Sequence, residues 1–224
     1  MTNRIDVHHH FFAQEYRDAM GANALRPEIR DWTVQRTKEE MDKNGVATAM
    51  LSLSPPGIHR GTREQTKALA RAINEHAAKM RAQDPVRFGH FASIPMPNVD
   101  DAIAEIAYAM DTLKSDGVQL MTSYGNRWPG HPDFDPVFAE LNRRKAVVFT
   151  HPVAAPCCSG LIPEVGDSEI AFGTDTSYAI ASMIFTGASQ RFADLSMIFS
   201  HGGGTVPYLI RRFVTDAKNQ PKLA

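Results

Sequence analysis

Short apolar runs, each followed by an amphipathic stretch, recur along the whole chain, and this alternation constrains the fold more than any other feature. The strand candidates are Arg4–His10, Val46–Leu53 (VATAMLSL), Arg87–Ile94 (RFGHFASI), Gly117–Met121 (GVQLM), Ala146–His151 (AVVFTH) and Leu195–His201 (LSMIFSH). Between them, Arg63–Gln83 reads as a helix with Ala68, Ile73, Ala77 and Met80 near helical spacing. Asn98 is placed to cap the next helix. Asp100 and Asp101 suit its positive end, and Val99, Ile103, Ile106, Met110 and Leu113 form one apolar stripe. Asp135-Pro136 opens another helix as N-cap and first-turn proline, Arg143, Arg144 and Lys145 close it, and a further helix lies near Ser177–Gln190. Near-continuous apolar strands, each followed by a helix, imply a parallel α/β sheet buried on both faces. A doubly wound open sheet and a (β/α)8 TIM-type barrel are the two solutions. A barrel typically takes about 250 residues. Six strands in 224 residues leave this chain two βα units short of one.

Composition narrows the function classes. A formal net charge of -1 gives no electrostatic reason to expect nucleic acid or an anionic membrane as partner. No apolar run reaches the length of a membrane span, and MTNRIDVHHH lacks the charge pattern of a secretion signal. The two cysteines, Cys157 and Cys158, are adjacent and form no disulfide framework. A single cytoplasmic domain over 1–224 is the expectation.

The histidines carry the chemistry. His8 and His10 stand two apart on a strand, so both leave the same face, and His9 points the other way. His151 and His201 each end an apolar strand, where parallel α/β folds place their active sites. Any one of them reads equally as a polar rim residue; four at the ends of three strands converge on one face. Three imidazoles with open positions beside them describe a catalytic metal site, and a fourth serves as general acid or base. Gly202-Gly203-Gly204 reads either as a tight turn or as a close approach to an anion. His90 reads as a buried, satisfied histidine, and His59, His76 and His131 as loop or helix-surface residues. Trp128 either lines the pocket or covers core.

IDVHHHF at the start, FTHP in the middle and FSHGGGTVPYLIRR near the end together resemble the amidohydrolase-related family (amidohydrolase 2) over essentially the whole chain. Its members include aminocarboxymuconate semialdehyde, γ-resorcylate and 6-methylsalicylate decarboxylases. The resemblance implies a distorted (β/α)8 barrel and one divalent metal, zinc first and manganese second. It makes His8, His10 and His151 metal ligands and His201 the residue that activates water or moves the proton. Arg212 matches an arginine that reaches a substrate carboxylate across a dimer interface, which implies a homodimer. Trp128 and Gly202 complete the candidate substrate contacts.

The family's remaining ligand is an aspartate ending the last barrel strand, and the chain stops at Ala224 before any such strand. The chain is therefore expected to be C-terminally incomplete. Asp175, in Gly173-Thr174-Asp175, is expected to cap a helix starting near Thr176 rather than to replace that ligand. The leading expectation is a lyase: non-oxidative decarboxylation of a small aromatic or unsaturated carboxylic acid. Metal-dependent hydrolysis of an ester, lactone or amide uses almost the same groups. A metal-free binding protein is the third reading.

Overall fold

The computed structural model describes residues 3–21, 25–59 and 61–219. The chain forms two compact units, Met1–Gln119 and Leu120–Ala224. In the first unit β1 (Arg4–His10), β2 (Val46–Ser52), β3 (Phe88–Ser93) and β4 (Gly117–Met121) lie side by side in chain order, each neighbouring pair parallel. The last two residues of β4 open the second unit, where β5 (Val147–His151) and β6 (Ser196–Phe199) continue the order, parallel to one another. Strand order follows chain order without reversal in either unit. This excludes the doubly wound sheet, whose order reverses at a switch point, and gives the (β/α)8 barrel arrangement, with six βα units among the described residues.

Helices α1 (Gln14–Met20), α2 (Pro27–Arg30) and α3 (Val34–Lys43) join β1 to β2, α4 (Arg63–Gln83) leads to β3, and α5 (Val99–Ala107) leads to β4. Every residue of β3 is buried, as expected of a strand covered on both faces. Phe11, Tyr16, Leu51, Ile73 and Phe88 pack in one core. A capping box starts α4: Thr62 Oγ1 accepts from Gln65 N, and Gln65 Oε1 accepts from Thr62 N at 2.8 Å. Its buried line runs through Ala70, Ile73, Ala77 and Met80, while Ala68 is exposed.

The face of α5 is rotated from the expected stripe. Asp101, Ala102, Glu105 and Ile106 are buried, with Val99 and Ile103 on the flank. Polar partners explain the rotation. Asn74 donates to Glu105 Oε1 at 2.9 Å, and Arg71 pairs with the same carboxylate at 2.8 Å. Asn98 makes no side-chain cap, and α5 ends in a π turn over Tyr108–Thr112.

The second unit holds α6 (Asp135–Arg143), α7 (Ala171–Phe185), α8 (Ala188–Arg191) and α9 (Val206–Asn219). Phe134, not Asp135, stands at the N-cap of α6, and Asp135 pairs with Arg191 at 3.0 Å. The helix expected near Ser177–Gln190 begins earlier and breaks at Gly187, whose φ is 74°. β6 ends at Phe199, so His201 lies in the turn beyond it. No helix among the described residues is long and apolar enough to cross a membrane.

Candidate metal centre

In the first unit, β1 delivers His8 and His10 together. Their Nε2 atoms are 3.2 Å apart, with the rings edge to face. Between Asp6 and His9 the strand carries a bulge, Val7 and His8 together opposing Met50 of β2. Asp6 secures it: Oδ1 accepts from His8 N at 3.0 Å, and Oδ2 lies 3.1 Å from His9 Nδ1. His9 thus serves the strand while its neighbours pair. Two nitrogens on one zinc-sized ion, each about 2.0–2.1 Å from it at a tetrahedral angle, stand roughly 3.3 Å apart. The observed separation fits that spacing.

In the second unit, His151 ends β5, buried, and its Nδ1–H donates to Pro152 O at 2.8 Å. The proton on Nδ1 puts the lone pair on Nε2, the tautomer a metal ligand needs. His201 packs edge to face on His151 with centroids 5.3 Å apart, and ring nitrogens of the two lie within 4.8 Å. His201 keeps solvent access, yet the protein around it removes enough water to hold its pKa below the ordinary histidine range. Within each unit, imidazole nitrogens are donors that suit a divalent transition metal.

Phe172 lies against both rings, 6.0 Å from His151 and 5.9 Å from His201. Sequence reasoning missed it, because the helix that carries it was expected to begin only near Thr176. Thr122, just past β4, was missed as well. Its N–H donates to His151 O at 2.9 Å, and its Oγ1 accepts from Val153 N at 3.2 Å. It therefore fixes the backbone on both sides of His151.

Asp175 sits inside α7 rather than at its cap, and is 2% exposed. Oδ1 accepts from Trp128 Nε1 at 2.6 Å, and Oδ2 accepts the hydroxyls of Thr122 and Ser123. The indole N–H of Trp128 is thereby committed to Asp175, and its ring tilts against Tyr178 at 5.3 Å. Gly202 lies in a left-handed run with φ of 51° at His201, 65° at Gly202, 76° at Gly203 and 63° at Gly204. Gly203 N bonds Ser200 O and Gly204 N bonds His201 O within the turn, and Thr205 N bonds Ser177 Oγ of α7, so these donors hold the turn and anchor it. Helix α9 starts only at Val206, and Arg212 is exposed on it.

The other candidates have structural partners. His76 pairs with Glu15 at 3.2 Å, and His131 Nδ1 accepts from Asp133 N. Burial pushes His59 down to about 4. His90 is buried as expected but only half satisfied: Nε2 meets Ser115 Oγ at 2.8 Å, and Nδ1 has no partner among the described residues. Cys157 is exposed and Cys158 half-buried, and the hydrogen bond to Cys157 raises the Cys158 thiol.

The chain belongs to the amidohydrolase family: residues 5–221 match the model described as Amidohydrolase. The decarboxylase yanB of Aspergillus niger is 40% identical, over 94% of this chain and 61% of its own length. A 6-methylsalicylic acid decarboxylase of Penicillium expansum is 36% identical, over 98% of this chain and 70% of the relative. The chain spans about two thirds of the length of the curated relatives it matches. A solved amidohydrolase II aligns with a TM-score of 0.89 at 26% identity, covering 97% of this chain and 72% of that one. A dihydroxybenzoic acid decarboxylase from a Polaromonas species, solved with manganese and 2-nitroresorcinol, shares the fold at a TM-score of 0.82 and 23% identity, covering 95% and 69%.

Proposed function

We propose that the protein is a metal-dependent, non-oxidative decarboxylase of a small aromatic carboxylic acid, with His8, His10 and His151 as ligands of one divalent ion and His201 as the proton-moving residue. One observation carries the reading: His151 Nδ1–H is spent on Pro152 O, so the lone pair is on Nε2, the nitrogen a metal needs. The names of the relatives supply the reaction class. Zinc is the proposed ion and manganese the alternative, manganese being the ion in the Polaromonas structure.

When bound, the ion acts as a Lewis acid that stabilises the negative charge left as carbon dioxide departs. The remaining work falls to the chain. As the bond to the carboxylate breaks, its electron pair stays on the ring carbon, and His201 places a proton there. Thr122 and Pro152 hold the His151 ring and backbone in one orientation. Phe172 packs against both imidazoles. Trp128 and Gly202 are the proposed substrate contacts, with Arg212 binding the carboxylate across a homodimer interface. One barrel domain over 1–224 and a cytoplasmic location complete the proposal.

The test is metal-loaded protein incubated with 6-methylsalicylate or 2,6-dihydroxybenzoate and followed by carbon dioxide release. His201→Ala should abolish release and leave metal content intact. A protein that holds no divalent metal after loading would overturn the reading, as would turnover of lactones alone.

A further inference from the structure

We infer that Ser52 is a positioning residue for the histidine pair of β1, fixing His10 in the tautomer with its proton on Nδ1 and its lone pair on Nε2. The inference rests on the metal reading above for its consequence, and on hydrogen-bond geometry within the first unit for its content.

Ser52 ends β2 and is fully buried. It bonds three consecutive residues at the end of β1 and just beyond it. Its hydroxyl donates to His9 O at 3.1 Å, its Oγ lies 3.4 Å from His10 Nδ1, and its carbonyl accepts from Phe11 N at 3.1 Å. A serine hydroxyl has one hydrogen and two lone pairs. The shorter bond, to His9 O, takes the hydrogen, because a carbonyl only accepts. What faces His10 is then a lone pair, so Nδ1 of His10 is the donor. Its lone pair is left on Nε2, the atom 3.2 Å from His8 Nε2.

The clamp is itself held. Gln119 in β4 treats Leu53 as a ladder partner: Oε1 accepts from Leu53 N at 2.7 Å, and Nε2 donates to Leu53 O at 2.6 Å. Gln119 and Leu53 are both buried, so these bonds are shielded from water. The end of β2 cannot slide along β1 without breaking them. Ser52 thus presents a fixed acceptor to His10, which is how an outer partner sets the tautomer and aim of a ligating imidazole. In sequence, a serine near the end of an apolar strand reads as an ordinary strand residue, and nothing there marks this role.

Two measurements test it. Long-range proton–nitrogen NMR of the metal-free protein at pH 8, with His10 assigned through His10→Gln, should show a protonated Nδ1 and an unprotonated Nε2. The reverse tautomer in the unmodified protein overturns the inference without any Ser52 variant. Chelator competition with manganese and zinc should show affinity 10- to 100-fold lower in Ser52→Ala, the range typical for loss of an outer partner. Ser52→Thr, which keeps the hydroxyl, should recover most of it. Unchanged tautomer and affinity in a folded Ser52→Ala overturn the role of Ser52 while leaving the metal reading in place. Unchanged affinity in His8→Ala and His10→Ala removes the metal reading instead.

Discussion

Trp128 donates its indole N–H to Asp175 at 2.6 Å, which ties the loop after β4 to the N-terminal part of α7 through a carboxylate that is 2% exposed. The other oxygen of Asp175 takes the hydroxyls of Thr122 and Ser123. All of these partners are donors, so the site needs an acceptor on both oxygens. Asp175→Asn turns one acceptor into a donor facing donors. The expected loss is about 2–3 kcal/mol of stability, the range for leaving buried groups unpaired beside a charged acceptor. Urea unfolding followed by tryptophan fluorescence checks it. A variant as stable as the parent would show that these contacts contribute nothing net.

Gly204 and Gly202 should respond differently to alanine, although both have left-handed φ. A Cβ on Gly204 would clash with Gly173 O and stand 2.7 Å from Ser177 Oγ, and the first of these is backbone that cannot swing away. A Cβ on Gly202 meets nothing within 4 Å. Gly202→Ala should cost about 1–2 kcal/mol, the conformational penalty alone. Gly204→Ala should cost more, with a displaced His201 turn, and thermal melts of the two variants side by side give the comparison.

Asn74 performs two tasks for the first unit. Its amide bonds both Ser93 N and Ser93 O, at 2.8 and 2.9 Å, which closes the end of β3, and it also donates to buried Glu105. Asn74→Leu keeps the volume and removes all three bonds. About 3 kcal/mol or more should be lost, since a nearly buried carboxylate then depends on Arg71 alone. Arg63, which pairs with Asp101 from an exposed position, should matter less than Asn74 when replaced by alanine, because water screens an exposed pair.

The strands were legible because their apolar runs are continuous, and β4 falls where the sequence placed it. The pairing of His8 with His10 was legible because both side chains leave one face at a strand end, even though the bulge takes in His8. Asp175 reads as a capping residue in sequence, and nothing there marks Glu105 or Asn74 as buried; only the partners folded against them make burial affordable. Thr122 and Ser52 are unremarkable residues locally; their roles come from the neighbouring strand. The rotated face of α5 follows from the same point, since hydrophobic spacing cannot register a buried carboxylate with an arginine waiting for it.

His90 gives a pH dependence with a definite sign. It is fully buried in β3, and burial pushes it down from 6.5 to about 4. Ser115 donates its hydroxyl to Ala109 O, so it accepts from His90 Nε2–H, and the proton that would charge the ring has to enter at Nδ1, where no partner waits among the described residues. The folded state therefore resists protonation and the unfolded chain does not. Between pH 6.5 and about 4 the unfolded chain binds the extra proton, so stability falls as pH falls. At pH 7 the contribution is fully present; by pH 4.5 roughly 2–3 kcal/mol of it should be gone. His90→Leu removes the titrating ring and should flatten that part of the profile while other groups continue to act. Urea midpoints for parent and variant at pH 7 and 4.5 measure the difference. Equal pH slopes in the two proteins would mean that His90 is protonated as easily in the folded state as in the unfolded chain.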